Sequence, residues 1–321
     1  MRYKMLGGTG LKVSEIGLGC AQLGGPSLRD GALVGSPAIS ESEALLILKT
    51  AYESGINFFD TSACYVDGKS EELLGKAFQK INGKVVIATK CGMTSMGERC
   101  FTRKFITSSV EESLKRLGTD CIDILQLKGP SREIILRGEV FKTLSDLKSR
   151  GLIRFSGISV AQIDDAYEAV RMNCIDTLQV LYNLLHLAPE DGLLQKANEK
   201  SIGIICRSPL SSGLLTGRIT EKTRFRPEDD RNEFMYGELL KSRVRKVREI
   251  QSEYNLNGDE LRFFSLNYLL SNEAVSTVIP GASSVLQLQE NLKVLEKKPF
   301  NTDLRWRVKE KVVELNKRWP L

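Results

Sequence analysis

Histidine is nearly absent from this chain: His186 is the only one in 321 residues. A lone histidine reads as a structural or surface residue before it reads as a catalyst. Cysteine pairing is missing too. The seven cysteines, Cys20, Cys64, Cys91, Cys100, Cys121, Cys174 and Cys206, are an odd count with no CxxC pair, which argues against a disulfide framework and for free thiols in a reducing compartment. No apolar stretch is long enough for a membrane span, and the start Met1-Arg2-Tyr3-Lys4 is not that of a signal peptide. A cytoplasmic protein with no membrane partner is expected. Nor is there a basic run interleaved with aromatics, so the net charge of +6 does not point to nucleic acid. The densest basic cluster, from Lys241 to Arg248, reads as a solvated helix face rather than a phosphate-binding patch.

What is present is globular. With 41% apolar and 27% charged residues, the chain reads as one sizeable core and a single domain over 1–321. Strand-like runs recur at 16–20, 58–61, 85–90, 122–128, 155–159, 177–182, 203–208 and 276–280. Helix-period segments lie between them at 42–54, 71–79, 108–117, 138–149, 162–171, 193–200 and 260–270. Near-continuous apolar strands alternating with helices predict a parallel sheet buried on both faces, closed as a (β/α)8 TIM barrel. A glycine-rich turn at 7–10 predicts an N-terminal hairpin that plugs one barrel end, and 303–318 reads as an extra C-terminal helix. Gly55, Gly118 and Gly151 stand at predicted helix stops. The segment 209–257 is too long for an ordinary connection and reads as a lid or cofactor clasp.

Two strands stop on ionisable groups. Phe58-Phe59-Asp60 is followed by Tyr65, and Val85-Val86-Ile87-Ala88-Thr89 ends on Lys90, so Asp60, Tyr65 and Lys90 are placed to meet at one barrel mouth. An ammonium beside a tyrosine favours its phenolate and lowers its pKa, and a carboxylate keeps that ammonium charged and oriented. Cys20, Cys64 and Cys91 also follow strand-like runs; they read as small apolar residues ahead of metal ligands, and no metal is expected.

Four motifs in order resemble those of the aldo-keto reductases. They are Gly55-Ile56-Asn57-Phe58-Phe59-Asp60-Thr61-Ser62 with Tyr65 and Ser70-Glu71-Glu72-Leu73-Leu74-Gly75, then Ala88-Thr89-Lys90, then the stretch from Ser208 to Gly217, and last Ile279-Pro280-Gly281-Ala282-Ser283 with Gln287, Glu290 and Asn291. The resemblance implies a barrel that binds an extended nicotinamide dinucleotide without a Rossmann fingerprint and moves hydride between it and a carbonyl or alcohol. By that match Tyr65 is the proton donor or acceptor, Lys90 tunes it and Asp60 partners Lys90. The implied cofactor site comprises Cys20, Ala21, Asp60, Ser159, Gln179, Arg207, Ser208, Leu210, Ser212, Gly281, Ser283, Gln287 and Asn291. NADP is the expected cofactor and NAD the alternative, because Ser283, Ser284 and Gln287 offer neutral hydrogen bonds rather than a cationic clamp.

The chain departs from the family pattern at the end of the fourth strand, where Lys128 stands in place of the usual histidine. Several consequences stay open. A charged Lys128 would strengthen Tyr65 as a base, anchor an anionic or sugar-derived substrate, or itself deliver the proton. Val160 replaces an asparagine common beside the nicotinamide amide, and Arg207 stands where many relatives carry a stacking aromatic. The expected activity is oxidoreduction of a small carbonyl or alcohol. The alternatives are an enone or sugar-alcohol oxidoreductase of the same fold, or a catalytically weak cofactor sensor resembling the potassium-channel β subunits. Glu98, Arg99, Arg132 and Arg137 are further candidates for recognising an anion.

Overall fold

The computed structural model describes residues 1–29, 32–36, 38–79, 81, 85–94, 97–160 and 162–319. Eight parallel strands follow one another around a barrel: β1 (Leu18–Gly19), β2 (Phe58–Asp60), β3 (Val86–Cys91), β4 (Ile122–Lys128), β5 (Ile153–Ser159), β6 (Thr177–Leu181), β7 (Gly203–Arg207) and β8 (Val275–Ile279). Parallel bridges from Ile16 to Val278 and from Gly19 to Gly281 join the first strand to the last. The (β/α)8 barrel read from the alternation is therefore present. The first strand is shorter than expected because only two of its residues pair with β2, while Ile16 bridges to β8.

Strand register decides what fills the barrel. Phe58, Val86, Ala88, Ile124, Ile205 and Ile279 form one apolar cluster with Leu6, Leu11 and Val13 of the N-terminal hairpin, Tyr3–Met5 paired with Lys12–Ser14. Burial of each of these side chains larger than alanine stabilises the barrel by about 1.5–3 kcal/mol. The hairpin seats closely because its turn carries Gly7 at φ +53; a Cβ there would stand 2.3 Å from the Gly203 nitrogen. Above this layer the inward-facing residues turn polar, at Asp60, Lys90, Gln126 and Gln179.

The outer helices begin and end where local chemistry allows. Ser40 and Glu43 form a reciprocal capping box on Glu41–Glu53, and Asn257 with Glu260 does the same for Gly258–Leu270. Gly118 closes Arg103–Leu117 in the left-handed conformation at φ 65, which relieves the last carbonyls of the helix. The long segment after β7 holds the helix Gly237–Glu253, and the chain finishes on the helix Thr302–Arg318. Among the described residues no helix is long and apolar enough to cross a membrane.

The basic cluster on Gly237–Glu253 is only partly a solvated face. Lys241 pairs with Glu238, and Arg245 and Arg248 reach Glu221. Lys246 turns inward instead and is fully buried, donating to Asn316 Oδ1 at 2.7 Å. Burial, with Arg243 nearby, pulls its pKa down to about 8. The helical period places one residue of any long basic run on the inner face, and here it is a lysine.

Candidate active site

Asp60 is the hub of the barrel mouth. Its Oδ2 accepts from Lys90 Nζ at 2.5 Å, and its Oδ1 accepts from Gln179 Nε2 at 2.6 Å and Gln126 Nε2 at 3.2 Å. Lys90 also donates to the Thr61 carbonyl at 2.8 Å, and both members of the pair are almost completely buried. Ser159 Oγ donates to Gln179 Oε1 at 2.9 Å, which extends the network from β2 to β6. A buried ion pair persists only when its remaining lone pairs and protons are met, and these amides meet those of Asp60.

Tyr65 is delivered by the turn after β2. Ala63 N donates to the Lys90 carbonyl at 3.1 Å and Tyr65 N to the Ser62 carbonyl at 3.0 Å. Val66, Asp67 and Gly68 then run with positive φ before the helix Lys69–Phe78. That helix is pinned to the strands by its own first turn. Thr61 Oγ1 donates to Ser70 Oγ, which donates to the Cys20 carbonyl at 2.9 Å, while fully buried Glu71 accepts from Thr89 and from Arg116. The Ser70-Glu71 pair thus fixes the frame of the turn that carries Tyr65.

Two ammonium groups face the Tyr65 ring, Lys128 Nζ at 4.7 Å and Lys90 Nζ at 5.3 Å from its centroid. The expected lowering of the phenol pKa is reversed in direction. Burial pushes the Tyr65 phenol well up, and Lys128 leads the opposing contributions, followed by Arg207, while Asp60 and Cys64 add to the rise. Lys128 leads the opposing contributions because Lys90 is committed to Asp60, so that pair presents little net charge, whereas Lys128 makes no ion pair with a carboxylate among the described residues.

The residues expected around the dinucleotide line the same end of the barrel. Cys20 is buried, with burial first and Asp60 second in pushing its thiol up, and Ala21 follows it, half-buried. Arg207 ends β7 and donates through Nη2 to the Val160 carbonyl at 3.0 Å, so Val160 contributes its backbone. Ser208, Ser211 and Ser212 all take positive φ around half-buried Leu210, folding the chain into a tight serine-rich loop. On the far side, Ser283 donates to Gln287 Oε1 through its nitrogen and hydroxyl at 3.0 and 3.1 Å, and Asn291 Nδ2 donates to the Gly281 carbonyl at 3.3 Å. Ser284 caps the helix Val285–Leu292, whose N-terminal dipole favours an anion.

The sequence reading passed over two residues. Gln126 and Gln22 each bury a side-chain oxygen with no partner; Gln126 sits two positions before Lys128 on β4, and Gln22 packs so close to Gly281 that a Cβ there would stand 2.3 Å from Gln22 Oε1. Gln126 had a signal, its even spacing from Lys128 on an inward-facing strand. Gln22 had none, because its contact is 259 residues away in sequence. Unsatisfied acceptors, a planar guanidinium and neutral donors at both ends of the mouth form a donor set that fits a nicotinamide dinucleotide.

The remaining candidates lie at or beyond the rim of this cluster, Arg99 against Gly129 just after Lys128 and His186 near Arg207. Arg132 pairs with Glu168 and Arg137 with Glu133, while Glu98 and Arg99 are exposed. His186 is half-buried in the loop after β6, its pKa lowered by burial and by Arg207. Cys91 packs into the apolar layer between barrel and helices.

Comparison with known proteins agrees with the geometry. The model of the aldo/keto reductase family matches residues 15–312. The chain is similar to the uncharacterized oxidoreductase YqkF of Bacillus subtilis, 32% identical over 298 residues that cover 91% of this chain and 90% of the relative. It is equally similar, at 32% over 303 residues, to the L-galactose dehydrogenase of Arabidopsis thaliana, covering 91% of this chain and 87% of that one. In structure it resembles the holo form of aldo-keto reductase AKR11C1 from Bacillus halodurans, with a TM-score of 0.79 at 27% identity, over 97% of this chain and 96% of that chain. Taken with the barrel and its mouth, these matches show that the chain belongs to the aldo/keto reductase family and is an NAD(P)-dependent oxidoreductase.

Proposed function

We propose that the protein, a single-domain barrel acting in the cytoplasm, moves hydride between NADP(H) and the carbonyl or alcohol carbon of a small substrate, with Tyr65 handling the proton. The observation that carries this reading is Tyr65 set between the ammonium groups of Lys90 and Lys128, above an Asp60 held by three donors. A bound nicotinamide supplies or accepts the hydride. In reduction the Tyr65 hydroxyl donates its proton to the substrate oxygen, and the phenolate left behind is stabilised by Lys128 and Arg207. In oxidation the same cations favour Tyr65 as the base. Asp60 holds Lys90 in place.

Ser159 and Gln179 would hold the carboxamide, with the Arg207 guanidinium beside the ring and Cys20 and Ala21 behind it. Ser208, Leu210 and Ser212 would follow the phosphates, and Gly281, Ser283, Gln287 and Asn291 the adenosine. NAD(H) is accepted as well, because the groups at Ser283 and Gln287 are neutral. Neither Lys128 nor Arg207 makes a salt bridge among the described residues, which favours an anionic carbonyl substrate such as an oxo acid or a sugar phosphate. The similarity to L-galactose dehydrogenase supports a second reading, oxidation of a sugar at a hydroxyl-bearing carbon.

The test is NADPH and NADH oxidation against neutral aldehydes, oxo acids and sugar phosphates, and the reverse reaction against sugars, for the wild type and Tyr65→Phe. Turnover that falls about 100-fold or more in Tyr65→Phe, with cofactor still bound, is the expected result. Turnover that survives the substitution would refute the role of Tyr65.

A further inference from the structure

Lys128 Nζ donates to Cys64 Sγ at 2.9 Å, its one hydrogen-bond acceptor among the described residues. The sulfur is in turn 3.2 Å from Ser62 Oγ, whose hydroxyl lies 3.4 Å from the Lys90 carbonyl. A lysine stem is flexible, and its ammonium keeps no fixed position without a partner. Here the usual partner, a carboxylate, is absent within 4.0 Å among the described residues.

We propose that Cys64 is a positioning residue whose sulfur, steadied by Ser62, holds the Lys128 ammonium over the face of Tyr65. A thiol suits that task because sulfur accepts weakly and leaves the positive charge intact. A carboxylate at the same place would hold the lysine more firmly and cancel its field at the ring. The residue just before Tyr65 is thereby coupled to the residue at the end of β4, the position where this chain departs from the family pattern. The inference rests on the reading of Tyr65 as the proton donor.

The experiment compares Cys64→Ala, Cys64→Ser, Lys128→Met and the Cys64→Ala/Lys128→Met double variant. Freeing the ammonium weakens its pull on the phenolate that proton donation leaves, so kcat for carbonyl reduction at pH 7 falls about tenfold in Cys64→Ala with KM little changed. Cys64→Ser retains an acceptor and returns kcat toward the wild-type value. In the Lys128→Met background, removal of Cys64 adds no further loss. An unchanged kcat in Cys64→Ala, or an equal loss with Lys128 already removed, overturns the proposal. Should Tyr65→Phe keep its turnover, the reading of Tyr65 fails instead, whatever Cys64 does. A measurement without turnover covers the contact itself: iodoacetamide labelling of Cys64 at pH 7, read by peptide mass, should change several-fold in Lys128→Met, because the sulfur loses the ammonium that contacts it at 2.9 Å. Equal labelling rates would also overturn it.

Discussion

Lys128 stands closer to the Tyr65 ring than Lys90 does, 4.7 against 5.3 Å from Nζ to the centroid. The two lysines are not equivalent in charge. Lys90 is neutralised by Asp60 at 2.5 Å, so the field at the phenol is set mainly by the lysine that replaces the expected histidine.

Lys128→Met should separate charge recognition from proton chemistry. For an oxo acid and its methyl ester, the acid should lose about tenfold more kcat/KM than the ester, a difference of about 1.4 kcal/mol. Equal losses for the two substrates would remove Lys128 from substrate recognition.

Lys90→Met strands the Asp60 carboxylate in the barrel. Breaking one side of a buried pair costs about 3–5 kcal/mol, and Gln126 and Gln179 still donate to Asp60, so a loss near the lower end is expected in urea denaturation. The Asp60→Asn/Lys90→Met double variant should be more stable than the sum of its single changes predicts. Strict additivity would mean the pair is not coupled in the folded protein.

Gly7→Ala should loosen the hairpin that closes the barrel. The new Cβ would meet backbone atoms, Gly203 N at 2.3 Å and Ser201 O at 2.4 Å, at a residue already in the left-handed region. A loss of at least about 2 kcal/mol is expected in chemical denaturation. Gly10→Ala, where nothing lies within 4 Å, should lose about half as much.

Stability should rise with pH above about 8 because of Lys246. Its folded pKa, about 8, is below the ordinary lysine value, so between the two the unfolded chain binds more protons and deprotonation favours the fold. The gain by pH 10.5 is about 3 kcal/mol, and Lys246→Met should abolish that slope while raising stability at pH 7. Urea midpoints at pH 7, 8, 9 and 10 would show it, and parallel curves for the two proteins would exclude Lys246.

Gln287→Arg should tilt cofactor choice. Ser283 and Gln287 present neutral groups beside the capped helix Val285–Leu292, so an added guanidinium supplies a bidentate partner for a 2′-phosphate. NADPH affinity relative to NADH should rise about tenfold in a fluorescence titration. An unchanged ratio would place the 2′-hydroxyl end of the cofactor elsewhere.

The linear sequence by itself determined the barrel, the order of its strands and the ends on which Asp60, Lys90 and Lys128 sit. Those features follow from local rules: apolar runs with period 2, helices with period 3.6, and glycine at the helix stops. It also exposed Lys128 as the place to look, because one histidine in the whole chain cannot fill that strand end. Tertiary structure alone decided which charges are spent. Whether Lys90 or Lys128 faces Tyr65 as an unneutralised cation depends on distances between strands, as do the Gln126 and Gln179 bonds to Asp60 and the contact of Cys64 with Lys128. Burial is likewise a property of the whole, which is why the Tyr65 phenol is pushed up where adjacency to ammonium groups alone would draw it down, and why one lysine of a basic helix lies inside the protein. Electrostatic effects add over every neighbour in space, and a sequence records neighbours only along the chain.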